Sequence, residues 1–333
     1  MLRPETLSQL RALQQRKANA RRSVRNLAKP RLPDQQPACD RESATIDGSA
    51  FVPEKAVLYA DGETEPSTSE LPTGAGTDEV THVAGAHWRW RRGLDQLWPG
   101  SQAQLAKGAA ALRNLTQTAE SPHPELLGLC SAFPNRAMFV DLETCGFAGS
   151  MIFLIGVLHE TDGQLVLDQL LARDYSEERA ILHSLWMIAA GNDLLVTYNG
   201  KSFDWPCIHD RSTLYKLGRD DRDRPPSGHA SSGRAAVTSK RSLSEGDRRP
   251  DLQHCDLLHH ARRRWRSTLP NCKLQTLEQV ICGRRRTGDI AGSEIPHAYH
   301  EFVRSRDAWE LRSILQHNAL DLVTLLQIAL RIV

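Results

Sequence analysis

The sequence predicts an α/β fold over residues 136–333, a mixed sheet covered by helices. Three observations predict it. Short apolar runs at 137–141, 153–158 and 165–170 read as three successive strands. A helical stretch from about Ser176 to Ala190 leads to a fourth apolar run at 194–198. Beyond residue 198 the pattern is mostly helical. Three strands, a helix, a strand and then helices bury their apolar faces together when one sheet carries helices on its faces.

Each element has a local cause. The first strand ends on Asp141. The second and third are joined by a turn at Asp162-Gly163, residue types that accept the positive φ of a tight hairpin. Ser176 followed by Glu177 and Glu178 is a helix start. Asn192-Asp193 turns the chain into the fourth strand, and a helix over about 203–217 comes next. Residues 219–250 hold no aromatic residue and are dominated by Arg, Asp, Ser, Gly and Pro. They read as a disordered insertion, too polar to offset their ordering entropy. Beyond it the pattern predicts a short strand near Cys255 and helices over 256–266, 274–282, from Pro296, and over 308–332.

The first 135 residues read differently. Residues 1–30 hold eight Arg/Lys against one Glu, and residues 31–80 hold three Arg/Lys against eleven Asp/Glu. Opposed charge blocks with little apolar periodicity read as a basic-then-acidic, mostly disordered extension over 1–80. Residues 81–135 read as a connecting arm. Within it, His87-Trp88-Arg89-Trp90-Arg91-Arg92 interleaves aromatics with cations. Such a run can stack bases and bind phosphates, or its tryptophans can dock the arm on the folded domain. Order is expected from about Arg136. Seven scattered cysteines without C-x-x-C spacing argue against a zinc ribbon or a disulfide framework. No run of eighteen apolar residues and no secretory h-region is present, so no membrane segment is expected and a cytoplasmic location is the default.

The chemistry lies in three separated pieces. Asp141 and Glu143 sit at i and i+2 of a strand end and share a face. Two carboxylates side by side in an apolar context repel each other, and a divalent cation is the usual reason to keep them. Asp204 lies where a strand, a Gly turn and a helix meet, with Asn199 close by. His317 and Asp321 are four apart on the last helix and share its face. Carboxylate oxygens suit Mg²⁺ or Mn²⁺. Two such ions, together with a histidine to take a proton from water, meet the needs of phosphodiester hydrolysis.

Asp141-x-Glu143, Tyr198-Asn199-x-x-x-Phe203-Asp204 and His317-Asn318-x-x-Asp321 resemble the three exonuclease motifs of the four-carboxylate (DEDD) superfamily. Asp256-Leu-Leu-His-x-x-Arg262, Cys272-Lys-Leu-Gln-Thr-Leu-Glu278 and Arg286-x-x-Asp289-Ile-x-Gly292-x-Glu-Ile-Pro296-x-x-Tyr299 resemble the YprB-type ribonuclease H-like family. The resemblance covers about 137–333 apart from the insertion. It implies a ribonuclease H-like fold and a 3′–5′ exonuclease acting on DNA or RNA. Asp141, Glu143, Asp204 and Asp321 would hold two divalent cations, Mg²⁺ or Mn²⁺, with His317 as base. Asn199, Lys201 and Asn318 would position the substrate. The histidine follows one branch of proofreading exonucleases in residue type and the other in its four-residue spacing from Asp321. Asp256 matches a family position and also suits a helix cap. Two arginine clusters, at 262–266 and 284–286, could meet phosphates or form solvated faces. A structure-selective endonuclease and a non-catalytic nucleic-acid-binding module are the rival readings.

Overall fold

The computed structural model describes residues 70–118, 122–146, 149–217 and 250–332. The expected disordered extension lies almost wholly outside these residues, and so does nearly all of the expected insertion. Seven strands form one sheet in the order β1-β2-β5-β4-β3-β6-β7. They are β1 (Thr77–His82), β2 (Gly85–Gly93), β3 (Ala137–Thr144), β4 (Ile152–Thr161), β5 (Gln164–Leu171), β6 (Leu194–Thr197) and β7 (Gln253–Asp256). The strands from β1 to β3 pair antiparallel, whereas β6 joins β3 in parallel and β7 joins β6 in parallel. The mixed sheet expected from the sequence is present.

Nine helices complete the described residues: α1 (Leu94–Leu97), α2 (Ser101–Thr118), α3 (Pro124–Ala132), α4 (Glu178–Ala189), α5 (Asp204–Leu214), α6 (Leu257–Trp265), α7 (Leu274–Val280), α8 (Ile295–Ser305) and α9 (Trp309–Ala329). The central strands are apolar on both sides, as strands covered on both faces must be. Met138, Val140 and Leu142 of β3 pack into one core with α4, α8 and the start of α9. Ala137 and Phe139 point the other way, into a second core with α3, α6 and the rest of α9. The two-residue period of a strand makes these two layers.

Order begins earlier than expected from the sequence. Instead of an arm, the Trp/Arg run is β2, hydrogen-bonded to β5 from Trp88–Leu171 to Gly93–Val166. Trp88, Trp90 and Trp98 are buried, so the docking reading of this segment holds and the base-stacking one does not. The alternation of Trp with Arg was a period-two strand signal. Its cations are spent internally. Arg91 pairs with Asp168, while Arg92 donates to Gln169 and lies 3.9 Å above the Trp90 ring. β1 then covers the edge of β2, and Arg312 of α9 donates to the Glu70 carbonyl.

One close approach sets the site. Asp141 pairs with Gly156 across β3 and β4. A Cβ on Gly156 would stand 2.2 Å from Asn318 Oδ1 and 2.5 Å from Leu322 Cδ1. Glycine there lets α9 settle onto the sheet and brings the third sequence motif over the first.

Candidate active site

Three elements deliver the expected carboxylates. β3 supplies Asp141 and Glu143, the first residue of α5 is Asp204, and the middle of α9 supplies Asp321. Electrostatic repulsion links them: Asp321 and Asp204 act on both Asp141 and Glu143. Desolvation pushes Asp141 well above the usual carboxylate range, and Asp321, Glu143 and Asp204 add repulsion. Glu143 is pushed up to about 8 by desolvation, with His317 opposing the shift and Asp321 and Asp204 adding to it. Desolvation carries Asp204 to about 7, with Asp256 and Asp321 contributing repulsion. Such mutual shifts arise when like charges share a small desolvated volume.

The protein holds this cluster in place from behind. Asn318 donates from Nδ2 to Asp141 Oδ2 at 2.9 Å and to the Asp141 carbonyl at 3.2 Å. Its own Oδ1 accepts from Gln169 at 2.9 Å. Asn318 is fully buried. It therefore orients Asp141 from beneath, and the expected substrate contact at this residue is replaced by a supporting one.

His317 lies over the cluster. Its Nε2 is 3.5 Å from Asp321 Oδ2, and its Nδ1 is 2.9 Å from Asp289 Oδ1. Desolvation opposes its positive charge, but the Asp289 hydrogen bond and the charges of Asp321 and Glu143 outweigh it and raise its pKa. Asp289 was legible only as part of a family motif without a role. Here it fixes the ring orientation. Arg286 ties this corner together, with contacts to Glu278, Asp289 and Asp321. It leaves the phosphate-contact reading of the 284–286 cluster to Arg285, since Arg284 is also buried against Glu278.

The second motif sits on the loop after β6. Asn199 adopts φ 67°, and its N–H donates to Asp256 Oδ1 at 2.8 Å. The Lys201 N–H donates to the other Asp256 oxygen at 3.2 Å. Asp256 also caps α6 through Leu258 N–H. The helix-cap reading of Asp256 is the one seen, and the same carboxylate also shapes the loop leading to Asp204. Lys201 is exposed and its ammonium rests 2.7 Å from Glu125. The Lys201 side chain thus turns to Glu125, and Asn199 contacts Asp256 through its backbone. Arg262, Arg263, Arg264 and Arg266 are exposed on and just after α6.

An all-oxygen donor set of recessed carboxylates that repel one another fits hard divalent cations. Among the described residues, Arg286 reaches Asp321, and His317 when protonated is the second positive group beside this set. No three of the four bring oxygens within 4.8 Å of one another; the described trio that does so is His123, Glu125 and His260.

A ribonuclease H superfamily profile matches residues 138–333, the segment that carries all four carboxylates. The chain belongs to the ribonuclease H superfamily. Within it, the chain is 32% identical over 197 residues to the uncharacterized protein YprB of Bacillus subtilis, covering 58% of this chain and 41% of that one. The YprB-type resemblance read from the motifs is thereby borne out, and the chain spans less than half the length of that relative. Among solved structures, a family B DNA polymerase from the archaeon Pyrobaculum calidifontis matches 59% of this chain and 24% of its own at 16% identity and a TM-score of 0.41. The ribonuclease H superfamily member described here has a nuclease-type fold. No described helix is long and apolar enough to cross a membrane.

Proposed function

We propose that the chain is a divalent-metal-dependent nuclease, a 3′–5′ exonuclease that hydrolyses phosphodiester bonds of DNA or RNA. The observation that carries this reading is the set of four carboxylates from three separate elements, three of them pushed far above their ordinary pKa. Asp141, Glu143, Asp204 and Asp321 would hold two Mg²⁺ or Mn²⁺ ions. Bound there, the cations would supply the charge that activates water and stabilises the leaving oxygen. His317 takes the proton from the attacking water, and Asp289 keeps the ring turned to receive it. Asn318 keeps Asp141 aimed into the cluster. Lys201, Asn199 and the exposed arginines of α6 meet the phosphate backbone.

The test is purified full-length protein with end-labelled single- and double-stranded DNA and RNA, in Mn²⁺, Mg²⁺ or EDTA. Stepwise shortening from the 3′ end that stops in EDTA is the expected result. Internal cuts would favour the endonuclease reading. No cleavage of any substrate with either ion, while the protein still binds nucleic acid, would establish the binding-module reading instead.

A further inference from the structure

Against Lys201 of the Asn199–Asp204 loop lies a second group of metal-ligating side chains. We propose that His123, Glu125 and His260 form an accessory site for a zinc-class transition metal ion, bridging α3 and α6. One ligand atom from each lies within 4.8 Å of the other two. His260 Nε2 and Glu125 Oε2 are 3.1 Å apart. Tetrahedral coordination with bonds of about 2.0–2.1 Å places neighbouring ligand atoms about 3.3 Å apart, so this edge is already close to the spacing a zinc-class ion requires. The His123 and His260 rings meet edge to face with centroids 4.8 Å apart. Two imidazoles and one carboxylate are the softer, nitrogen-containing donor set that selects Zn²⁺, Co²⁺ or Ni²⁺ over Mg²⁺. The ligand class thus separates this site from the all-oxygen cluster.

The backbone preorganises the site. His123 stands between Pro122 and Pro124 and is the N-cap of α3, held at φ −63°, ψ 137°. The residue before a proline is confined to this extended region, so the backbone that carries the ring has little freedom to lose. Its Nδ1 accepts from Glu125 N–H at 3.3 Å, a long hydrogen bond and a small one to exchange for a metal bond. Glu125 is lowered to about 2; desolvation opposes this, and Lys201 and His260 outweigh it. Its carboxylate is ionised at any physiological pH. The buried imidazole and the half-buried carboxylate form a corner rather than a surface scatter. Three protein ligands leave one position for water, the arrangement of an exchangeable site.

A competitor is also in place. Lys201 Nζ contacts Glu125 Oε1 at 2.7 Å. An arriving cation displaces that ammonium and releases the Lys201 side chain toward the cleft. Only this consequence depends on the nuclease reading; the metal site does not.

The experiment is Co²⁺ titration of the full chain in excess Mg²⁺, followed by visible absorption and isothermal calorimetry, in wild type and in Asp141→Asn. One equivalent with the absorption of a four-coordinate, nitrogen-ligated ion is expected in both. His123→Gln, at a half-exposed position, and Glu125→Gln should each weaken binding by at least about tenfold. Lys201→Met removes the competing charge and should tighten it by about tenfold, a gain that misfolding cannot imitate. Wild type binding no more Co²⁺ than the His123→Gln variant, or Lys201→Met leaving the affinity unchanged, overturns the site. Loss of all Co²⁺ binding in Asp141→Asn would assign the ion to the carboxylate cluster instead. Because no cleavage is measured, failure here and failure of the nuclease reading are told apart.

Discussion

Two groups of desolvated carboxylates in this molecule, one fully buried and one partly buried, behave in opposite ways. Asp168 of β5 is fully buried and is held at about 2. Burial works against that value, but the Arg91 guanidinium grips both carboxylate oxygens, at 2.8 and 2.6 Å, and His159 adds a third bond at 3.0 Å. Glu178, equally buried, accepts from Arg211, Tyr215 and the Ile152 amide. Asp141, Glu143 and Asp204 are driven the other way. The first pair completes its charge balance within the protein and stabilises the sheet. The second set repels itself, so a retained proton or, on the proposed reading, a bound cation has to offset its charge. Burial alone marks neither role; the partner does.

If that contrast is right, the largest effect falls on Asp141. Asp141→Asn removes a charge proposed to hold a cation, and cleavage should fall by orders of magnitude at every pH. The metal-free protein should be no less stable, because one source of repulsion is gone. Cleavage assays and thermal unfolding in EDTA check both halves. Full activity in Asp141→Asn would break the nuclease reading.

His317→Ala should cost less. A positioned base contributes about 10²–10⁴-fold, so a residual rate should survive while Mn²⁺ affinity changes little. Asp289→Asn should reduce the rate by a smaller factor, since it turns the ring without removing it. Single-turnover rates with Mn²⁺ titration separate the two. Equal loss of metal affinity in both variants would make His317 a ligand and not a base.

Asp168→Asn tests the other half of the comparison. It should leave the chemistry alone and cost about 2–4 kcal/mol of stability, because Arg91 then faces an amide and His159 loses its acceptor. Denaturant unfolding measures it. An unchanged midpoint would mean the buried pair contributes nothing and the contrast with Asp141 fails on the structural side.

The proposed site was more legible in the sequence than the fold's edge. Asp141, Glu143, Asp204, His317 and Asp321 could be singled out as candidates because each motif sits at a strand end, a helix start or on one helix face, and local periodicity reports such placements. The partners behind them could not be found so. Asn318 touches Asp141, and Asp289 touches His317, through contacts 177 and 28 residues apart in the chain. No local pattern encodes those distances. β2 was missed for a different reason. Its arginines pointed to phosphates, yet Arg91 and Arg92 find their partners on β5, across 77 residues. The His123, Glu125 and His260 group was invisible likewise: two of its members precede the region that the family motifs cover.

The smallest effect is on stability against pH, and it sharpens the comparison most directly. In the folded metal-free protein Glu143 keeps its proton up to about 8 and Asp204 up to about 7, with Asp141 also raised. In the unfolded chain these groups ionise at about pH 4. From there to about pH 8 the folded state binds more protons, so stability falls as pH rises. His317, raised in the fold, loses its contribution in the same direction. The buried His87, lowered to about 4 by desolvation, acts oppositely, but only below the ordinary histidine range. Above about pH 7 that opposing contribution has largely ended. Thermal unfolding in EDTA between about pH 7 and pH 9 should therefore show a melting temperature that drops by a few degrees and then levels. Glu143→Gln should flatten the drop, and Mg²⁺ or Mn²⁺ should offset it by favouring the ionised carboxylates. Asp168→Asn should shift the whole curve down without changing its slope, since Asp168 is ionised throughout. A wild-type curve that is flat over this range would mean the carboxylates of the three elements do not share one pocket.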